Sequence, residues 1–314
     1  MEKSKVYFIK DISSENVIKA YEALGIQLKG NVAVKLHSGE PGNQNFLRPD
    51  FMKPAVDHVG GTIVECNTAY DGGRDTTERH KKTMQLHGWV EIADVDIMDA
   101  EGEMTIPVAG GKHLDVNYVG KTLPEYDSML VLSHFKGHPM GGFGGALKNI
   151  SIGLASSYGK KYIHGVREVE DFWHADHDSF LECMADAAKS IVDHFGGNMA
   201  FVNIMKNMSV DCDCCAVAAD PKLGDIGILS SLDPVALDQA CVDLVYASGD
   251  PGKGDLIKRI ESRNGIHTVE AAAELGAPGI LFVKHWTYTC SFCHRLLAAA
   301  ELGVGSREYE LIEL

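Results

Sequence analysis

The sequence predicts an α/β fold: a mostly parallel or mixed sheet covered by helices, arranged as one large unit or as two lobes. Three observations carry this. Short apolar or β-branched runs of strand length alternate with longer segments whose apolar residues recur at helical spacing. Several helical segments open on a residue suited to capping. At 314 residues, with 45% hydrophobic and 23% charged residues, the chain is long enough to bury a sizeable core. Strands that alternate with helices in this way pair in parallel, and helices cover the sheet.

In chain order, the strand-like runs are Val6–Ile9, Val32–Leu36, Thr62–Glu65, Ser128–Ser133, Ala200–Ile204 and Ile226–Ser230. The helical segments between them are Ser14–Leu24, Pro49–Val59, Thr76–His87, Phe180–Phe195 and Pro234–Ser248. Ser13 precedes the first helix, and Asp233 precedes a helix with proline at its first position, both favoured starts.

Charge and cysteine usage narrow the function. The 44 acidic residues exceed the 29 basic ones and give a formal charge of -15, which repels nucleic-acid phosphates and anionic membranes. The first residues read as a strand rather than a leader, and no apolar run approaches the roughly 20 residues that span a bilayer. Eight unevenly clustered cysteines then suggest a cytoplasmic protein that uses thiols as metal or redox groups rather than as structural disulfides.

Ligands of parallel sheets sit beyond the carboxyl ends of the strands, and the polar clusters of this chain fall there. Lys35 and His37 share one side of an extended segment, and Glu40 and Arg48 follow in the loop. That mixture suits anion binding or proton transfer; a solvated turn is the plainer reading. Glu65, Cys66, Asn67 and Tyr70, with Arg74 and His80, begin at the next strand end. The densest cluster runs from His134 through Lys136, His138 and a glycine loop to Lys148 and Asn149. Gly144 and Gly145 lead into a helix whose first amides could take an anion, or they serve only to turn the chain. Asp211-Cys212-Asp213-Cys214-Cys215 is the strongest signal. Two thiols two residues apart can share a metal, the acidic neighbours disfavour thiolates without a cation, and completing the site takes ligands such as His134, His138 or Cys66.

As an ordered set these motifs resemble the DUF362 family of uncharacterised proteins, over roughly residues 5–250. They are Lys35-x-His37-x-Gly39-Glu40-x-Gly42-Asn43, Asn67-Thr68-x-Tyr70, His134-x-Lys136-Gly137-His138, Gly145-Ala146-Leu147-Lys148-Asn149, Asp211-Cys212-Asp213-Cys214, and the run from Asp225 to Asp238. The resemblance implies an iron–sulfur association, because many relatives carry a ferredoxin segment after the lysine-asparagine motif. Here no Cys-x-x-Cys-x-x-Cys run follows His164. Trp173-His174-Ala175-Asp176-His177-Asp178 stands there instead, as a possible metal-binding run or a polar loop and helix cap.

Ala271-Ala272-Ala273-Glu274-Leu275-Gly276 recurs as Ala298-Ala299-Ala300-Glu301-Leu302-Gly303. This suggests an insertion over 277–297, whose Cys290 and Cys293 are half a zinc or iron–sulfur site, a redox dithiol or two packed cysteines on one helix face. The resulting expectation is a cytoplasmic, redox-linked protein in which Cys212 and Cys214, with His134 or His138, bind iron, an iron–sulfur group or zinc. Arg48, Asn67, Lys136, Gly144, Gly145, Lys148 and Asn149 would hold a small anionic molecule. Lys35, His37 and Glu40 would serve catalysis, and a redox protein would be the partner. The alternatives are a metal-dependent hydrolase or isomerase, and a non-catalytic metal carrier or sensor.

Overall fold

A computed structural model describes residues 3–275 and 306–314. The Cys290 and Cys293 pair, the expected insertion and the second copy of the alanine-rich repeat lie outside the described residues.

The first half comprises β1 (Ser4–Ile9), α1 (Ser14–Glu22), β2 (Val32–Lys35), α2 (Pro49–Val59), β3 (Thr62–Glu65), α3 (Thr77–Leu86), β4 (Val95–Ile97) and a hairpin of β5 (Glu103–Pro107) and β6 (Val116–Gly120). Then come β7 (Ser128–His134), the short pair β8 (Lys136–His138) and β9 (Gly142–Gly144), and helices α4 (Ala146–Leu154), α5 (Ser157–His164) and α6 (His177–Phe195). The remainder is β10 (Met199–Met205), β11 (Gly227–Ser231), α7 (Pro234–Ala247), α8 (Lys253–Ser262), α9 (His267–Glu274) and β12 (Tyr309–Glu313). The expected caps form: the Ser13 side chain accepts from Asn16 N, and Asp233 accepts from the amides of Val235 and Ala236 behind Pro234.

Among the described residues, eight strands form one mixed sheet in the order β12-β1-β11-β10-β7-β2-β3-β4. Every neighbouring pair is parallel except those made by β11, which runs antiparallel to both β1 and β10. Alternate residues of the central strands feed two cores. Val34, Leu130, Leu132 and Val202 pack with α1 and α2 residues on one face. Ala33, Met129, Val131 and Phe201 pack with residues of α4, α6 and α7 on the other. Burial on both faces explains why these strands are nearly continuous in apolar residues.

From β2 the chain builds outward through β3 to β4, then returns to lay β7 on the other side of β2 and continues to β10. The carboxyl ends of β2 and β7 therefore flank the crevice where connections diverge, the expected ligand position in such sheets. Asn149 on α4 bridges this split. Its amide donates to the Lys35 carbonyl, the Leu132 carbonyl and Ser133 Oγ, at 3.4, 3.4 and 3.0 Å.

The start of α4 is not open to an anion. Buried Asp238 of α7 accepts from the amides of Ala146 and Leu147 at 2.8 and 3.0 Å, and from Asn203 Nδ2 at 2.7 Å. A Cβ on Gly145 would lie 2.3 Å from Asp238 Oδ1, so that glycine serves a close approach. Burial raises Asp238 to about 6, above the roughly 3.9 of an unfolded aspartate. The native state thus binds this proton more readily, and the contribution of Asp238 to stability falls as pH rises from about 4 to about 6. Asp238→Asn should flatten that slope while costing about 1–3 kcal/mol for the amide left without an acceptor, as read by urea unfolding at several pH values.

Candidate functional site

A cavity of about 260 Å³ opens at the carboxyl ends of β2, β3 and β7, roofed by α4 and α5. It has a thiol end and a lysine floor.

At the thiol end, Cys212 and Cys214 project from a turn closed by Cys215 N to Cys212 O at 2.9 Å. Both cysteines line the cavity from this turn. The loop after β2 pins this turn. Glu40 N donates to Asp213 O at 2.8 Å, Asn43 Nδ2 to Cys215 O at 2.8 Å, and Asn45 Nδ2 to Ala219 O at 2.9 Å. The glycine-glutamate-asparagine motif thus builds the seat of the cysteines. Asp213 accepts from Lys136 Nζ at 3.0 Å and faces His134 Nδ1 at 2.9 Å. Against the cost of burial, His134 and Lys136 hold its carboxyl far below the usual range.

Among the described residues, one group of three donors is close enough to hold an ion: His138, Cys212 and Cys214, with ligand atoms all within 4.8 Å of one another. Two thiolates and an imidazole suit zinc or iron and leave a position open. One detail weakens the imidazole. Its Nδ1 accepts from the amides of Met140 and Gly141 at 3.2 and 2.8 Å, which leaves the neutral ring's proton on Nε2, 3.9 Å from Cys214 Sγ. A metal-bound histidine ordinarily donates through its other nitrogen, so the thiols are the firmer part of the donor set. Without a cation, the hydrogen bond between the two thiols and their burial push Cys212 up to about 11.

The floor is built by Lys35 and Glu65 from adjacent strands. Lys35 Nζ donates to Glu65 Oε1 at 3.2 Å and to the Leu36 carbonyl. Glu65 also accepts from Ser38 Oγ at 2.8 Å and Arg74 Nη1 at 3.3 Å, and faces His80 Nε2 at 3.1 Å. Burial opposes ionisation of Glu65, but Lys35, His80 and Arg74 carry it well below the usual carboxylate range. A Cβ on Gly153 would lie 2.6 Å from Lys35 Cε, so any larger residue there would displace this lysine. Burial lowers Lys35 below the ordinary lysine range despite Glu65.

The family profile described as "Domain of unknown function (DUF362)" matches residues 32–243, the segment that supplies the cavity's walls. The chain belongs to the DUF362 family. No curated protein matches it. Among solved structures it is similar to the lactate racemase apoprotein from Thermoanaerobacterium thermosaccharolyticum, at 16% identity and a TM-score of 0.45, over 76% of this chain and 56% of that one. A Thermotoga maritima protein is similar at 12% identity and a TM-score of 0.39, over 83% and 58%. The chain thus spans less than three fifths of each.

In this DUF362 chain the cavity brings together Lys35, His37, His134, Lys136, His138, Gly144, Gly145, Lys148, Asn149, Cys212 and Cys214. It leaves out three residues expected from the sequence. Arg48 is exposed and stacks its guanidinium 4.1 Å from the Phe46 ring centroid. Glu40 is buried against Arg74, with Nε to Oε2 at 2.9 Å. Asn67 is spent on Asp99, Thr77 and His80. His134 lines the wall but stands outside the donor group, because its nitrogens face Asp213 and the Lys206 carbonyl, at 2.9 and 2.6 Å. Gly145 gives room for Asp238, which takes the first amides of α4, whereas a Cβ on Gly144 would make only ordinary contact with Lys136 and Lys148 at 3.7 Å. In the run after His164, Asp176 caps α6 and only Trp173 lines the cavity. Cys66 is buried, donates to the Leu154 carbonyl at 3.4 Å, and lies outside the donor group.

Sequence reasoning passed over Lys160 and His164, which α5 brings into the cavity. Their signal was slight: two polar residues four apart on a short helix, beside apolar Ile163.

Proposed function

We propose that this protein holds a metal through Cys212 and Cys214 at one end of a cationic pocket, takes a small anionic ligand beside it, and works in redox chemistry with a partner protein. The observation that carries the reading is the meeting, in one cavity, of a thiol-imidazole donor group and the lysines 35, 136, 148 and 160. A chain of charge -15 that gathers four lysines around one cavity has placed its basic groups where an anion would be held.

Bound iron would supply one-electron chemistry, and zinc a Lewis acid. The other duties fall to the chain. Lys136 is neutralised by Asp213, whereas Lys148 forms no salt bridge among the described residues and is the natural partner of a carboxylate or phosphate. His37 accepts from Gly39 N at 3.1 Å through Nδ1, so in the neutral ring Nε2 carries the proton. Burial, with Arg74 nearby, drops His37 to about 4, which keeps the ring a neutral donor at physiological pH. The floor pair of Lys35 and Glu65 fixes the strand ends on which the ligand rests.

Elemental analysis and visible spectroscopy of protein purified without oxygen test the reading. Stoichiometric iron with thiolate-to-iron absorption is the expected result. Colourless protein with stoichiometric zinc would overturn the redox assignment and favour a hydrolase, an isomerase or a carrier. Metal-free protein that binds neither ion on reconstitution would overturn the site.

A further inference from the structure

We propose that Lys160 is a nucleophilic amine that captures the carbonyl group of a small oxo acid, with His164 as its proton-transfer partner. The two residues lie four apart on α5 and both line the cavity.

Lys160 differs from the two other buried lysines of the cavity. Lys35 has Glu65 and Lys136 has Asp213. Lys160 is 6% exposed, forms no salt bridge among the described residues, and donates to the Ala155 carbonyl at 2.6 Å. A buried ammonium without a direct ion-pair partner is costly, and burial lowers its proton affinity from the ordinary lysine value despite the Asp99 and Glu65 carboxylates beyond contact. A desolvated lysine in a ligand cavity is the usual form of an amine nucleophile.

His164 is the matching acceptor. Its Nδ1 lies 2.7 Å from the Lys160 carbonyl, and a carbonyl only accepts, so Nδ1 carries the proton and Nε2 presents a lone pair. The ring stacks 4.7 Å from Phe180, with Trp173 edge-on at 5.5 Å. Burial lowers it to about 4, which keeps it neutral. The other histidines of the cavity are arranged differently. His37 and His138 accept backbone amides at Nδ1, and both nitrogens of His134 face oxygen acceptors.

The step balances within these groups. The Lys160 Nζ lone pair adds to the carbonyl carbon as the C=O π pair moves to oxygen. The two N–H protons pass in turn through His164 Nε2 to that oxygen, which leaves as water, so amine and carbonyl give imine and water. Lys148 holds the acid group. This rests on the anionic-ligand reading above.

Pyruvate, the simplest keto acid, is the probe. Protein incubated with pyruvate, reduced with borohydride and mapped by peptide mass spectrometry should carry the adduct on Lys160. Lys160→Met and Lys160→Arg should lose that label, and His164→Gln should form it on the order of a hundredfold more slowly, with folding checked by thermal melting. Adduct on Lys35 or on surface lysines, with Lys160 unmodified in the wild-type protein, overturns the proposal without needing any variant. Calorimetry with oxalate, an acid without a ketone, separates the two readings. Oxalate binding without a pyruvate adduct overturns the lysine chemistry alone, whereas binding of neither acid overturns the anion reading beneath it.

Discussion

Glu65→Gln is expected to destabilise the protein by about 3–5 kcal/mol, the usual cost of removing one partner from a buried ion pair. Glu65 is 3% exposed and serves Lys35, Arg74, His80 and Ser38 at once. Arg74 keeps Glu40, so the uncompensated charge falls on Lys35, which is 1% exposed. Urea unfolding of both proteins at neutral pH measures the loss. Pairing the change with Lys35→Met should recover part of it, because an apolar replacement removes the orphaned charge. The pH dependence has a definite sign. Glu65 is held below its unfolded value of about 4.3, so the native state releases this proton more readily. Its contribution is present above pH about 4.3 and disappears as pH falls toward the native value. Glu65→Gln should therefore lose less stability on acidification than the wild type. A cost under about 0.5 kcal/mol, typical of neutral surface changes, would mean that Lys35 does not depend on this carboxylate.

Glu65 also marks where the sequence stops being legible. The runs Val32–Leu36 and Ser128–Ser133 announced β2 and β7, because a strand buried on both faces must be apolar along its length. The parallel sheet then placed Lys35, His37, His138 and Cys212 near one crevice without any knowledge of contacts. Pairing was hidden. Nothing local distinguishes Lys136, neutralised by Asp213 some 77 positions away (213 minus 136), from Lys148 or Lys160, which have no such partner among the described residues. Asn67 and Glu40 look like site residues because motif and strand end coincide, yet the Asn67 side chain is taken by Thr77 and His80 of α3 and that of Glu40 by the loop at Gly73 and Arg74. Lys160 and His164 were missed for the converse reason. They sit on a helix rather than at a strand end, and only the packing of α5 against β6 and α6 turns them inward. The short β4 and the terminal β12 were missed because three to five residues at a sheet edge carry too little periodicity to read.

Cys212→Ser and Cys214→Ser should each abolish retention of metal through purification, whereas Cys215→Ser and Cys66→Ser should retain it. The separation is geometric. Cys212 and Cys214 belong to the donor group with His138, while Cys215 and Cys66 do not, and Cys66 is committed to the Leu154 carbonyl. Serine keeps the volume and removes the thiolate, the soft ligand that zinc and iron select. His138→Gln divides two arrangements of the same cluster. If the imidazole binds the ion through Nε2, Nδ1 must take up the proton and the Met140 and Gly141 amides must turn away, and the variant should lose metal as completely as the serine variants. If the ring keeps those amides and donates from Nε2 to sulfur, the histidine supports the thiolates from outside the coordination sphere. The loss should then be about 10–100-fold in affinity, as for other groups that hydrogen-bond to ligands. The hydrogen bonds at Nδ1 favour the second arrangement. Unchanged metal content in both Cys212→Ser and Cys214→Ser would move the metal away from this cavity altogether, and the lysines around it would then have to be explained by the anionic ligand alone.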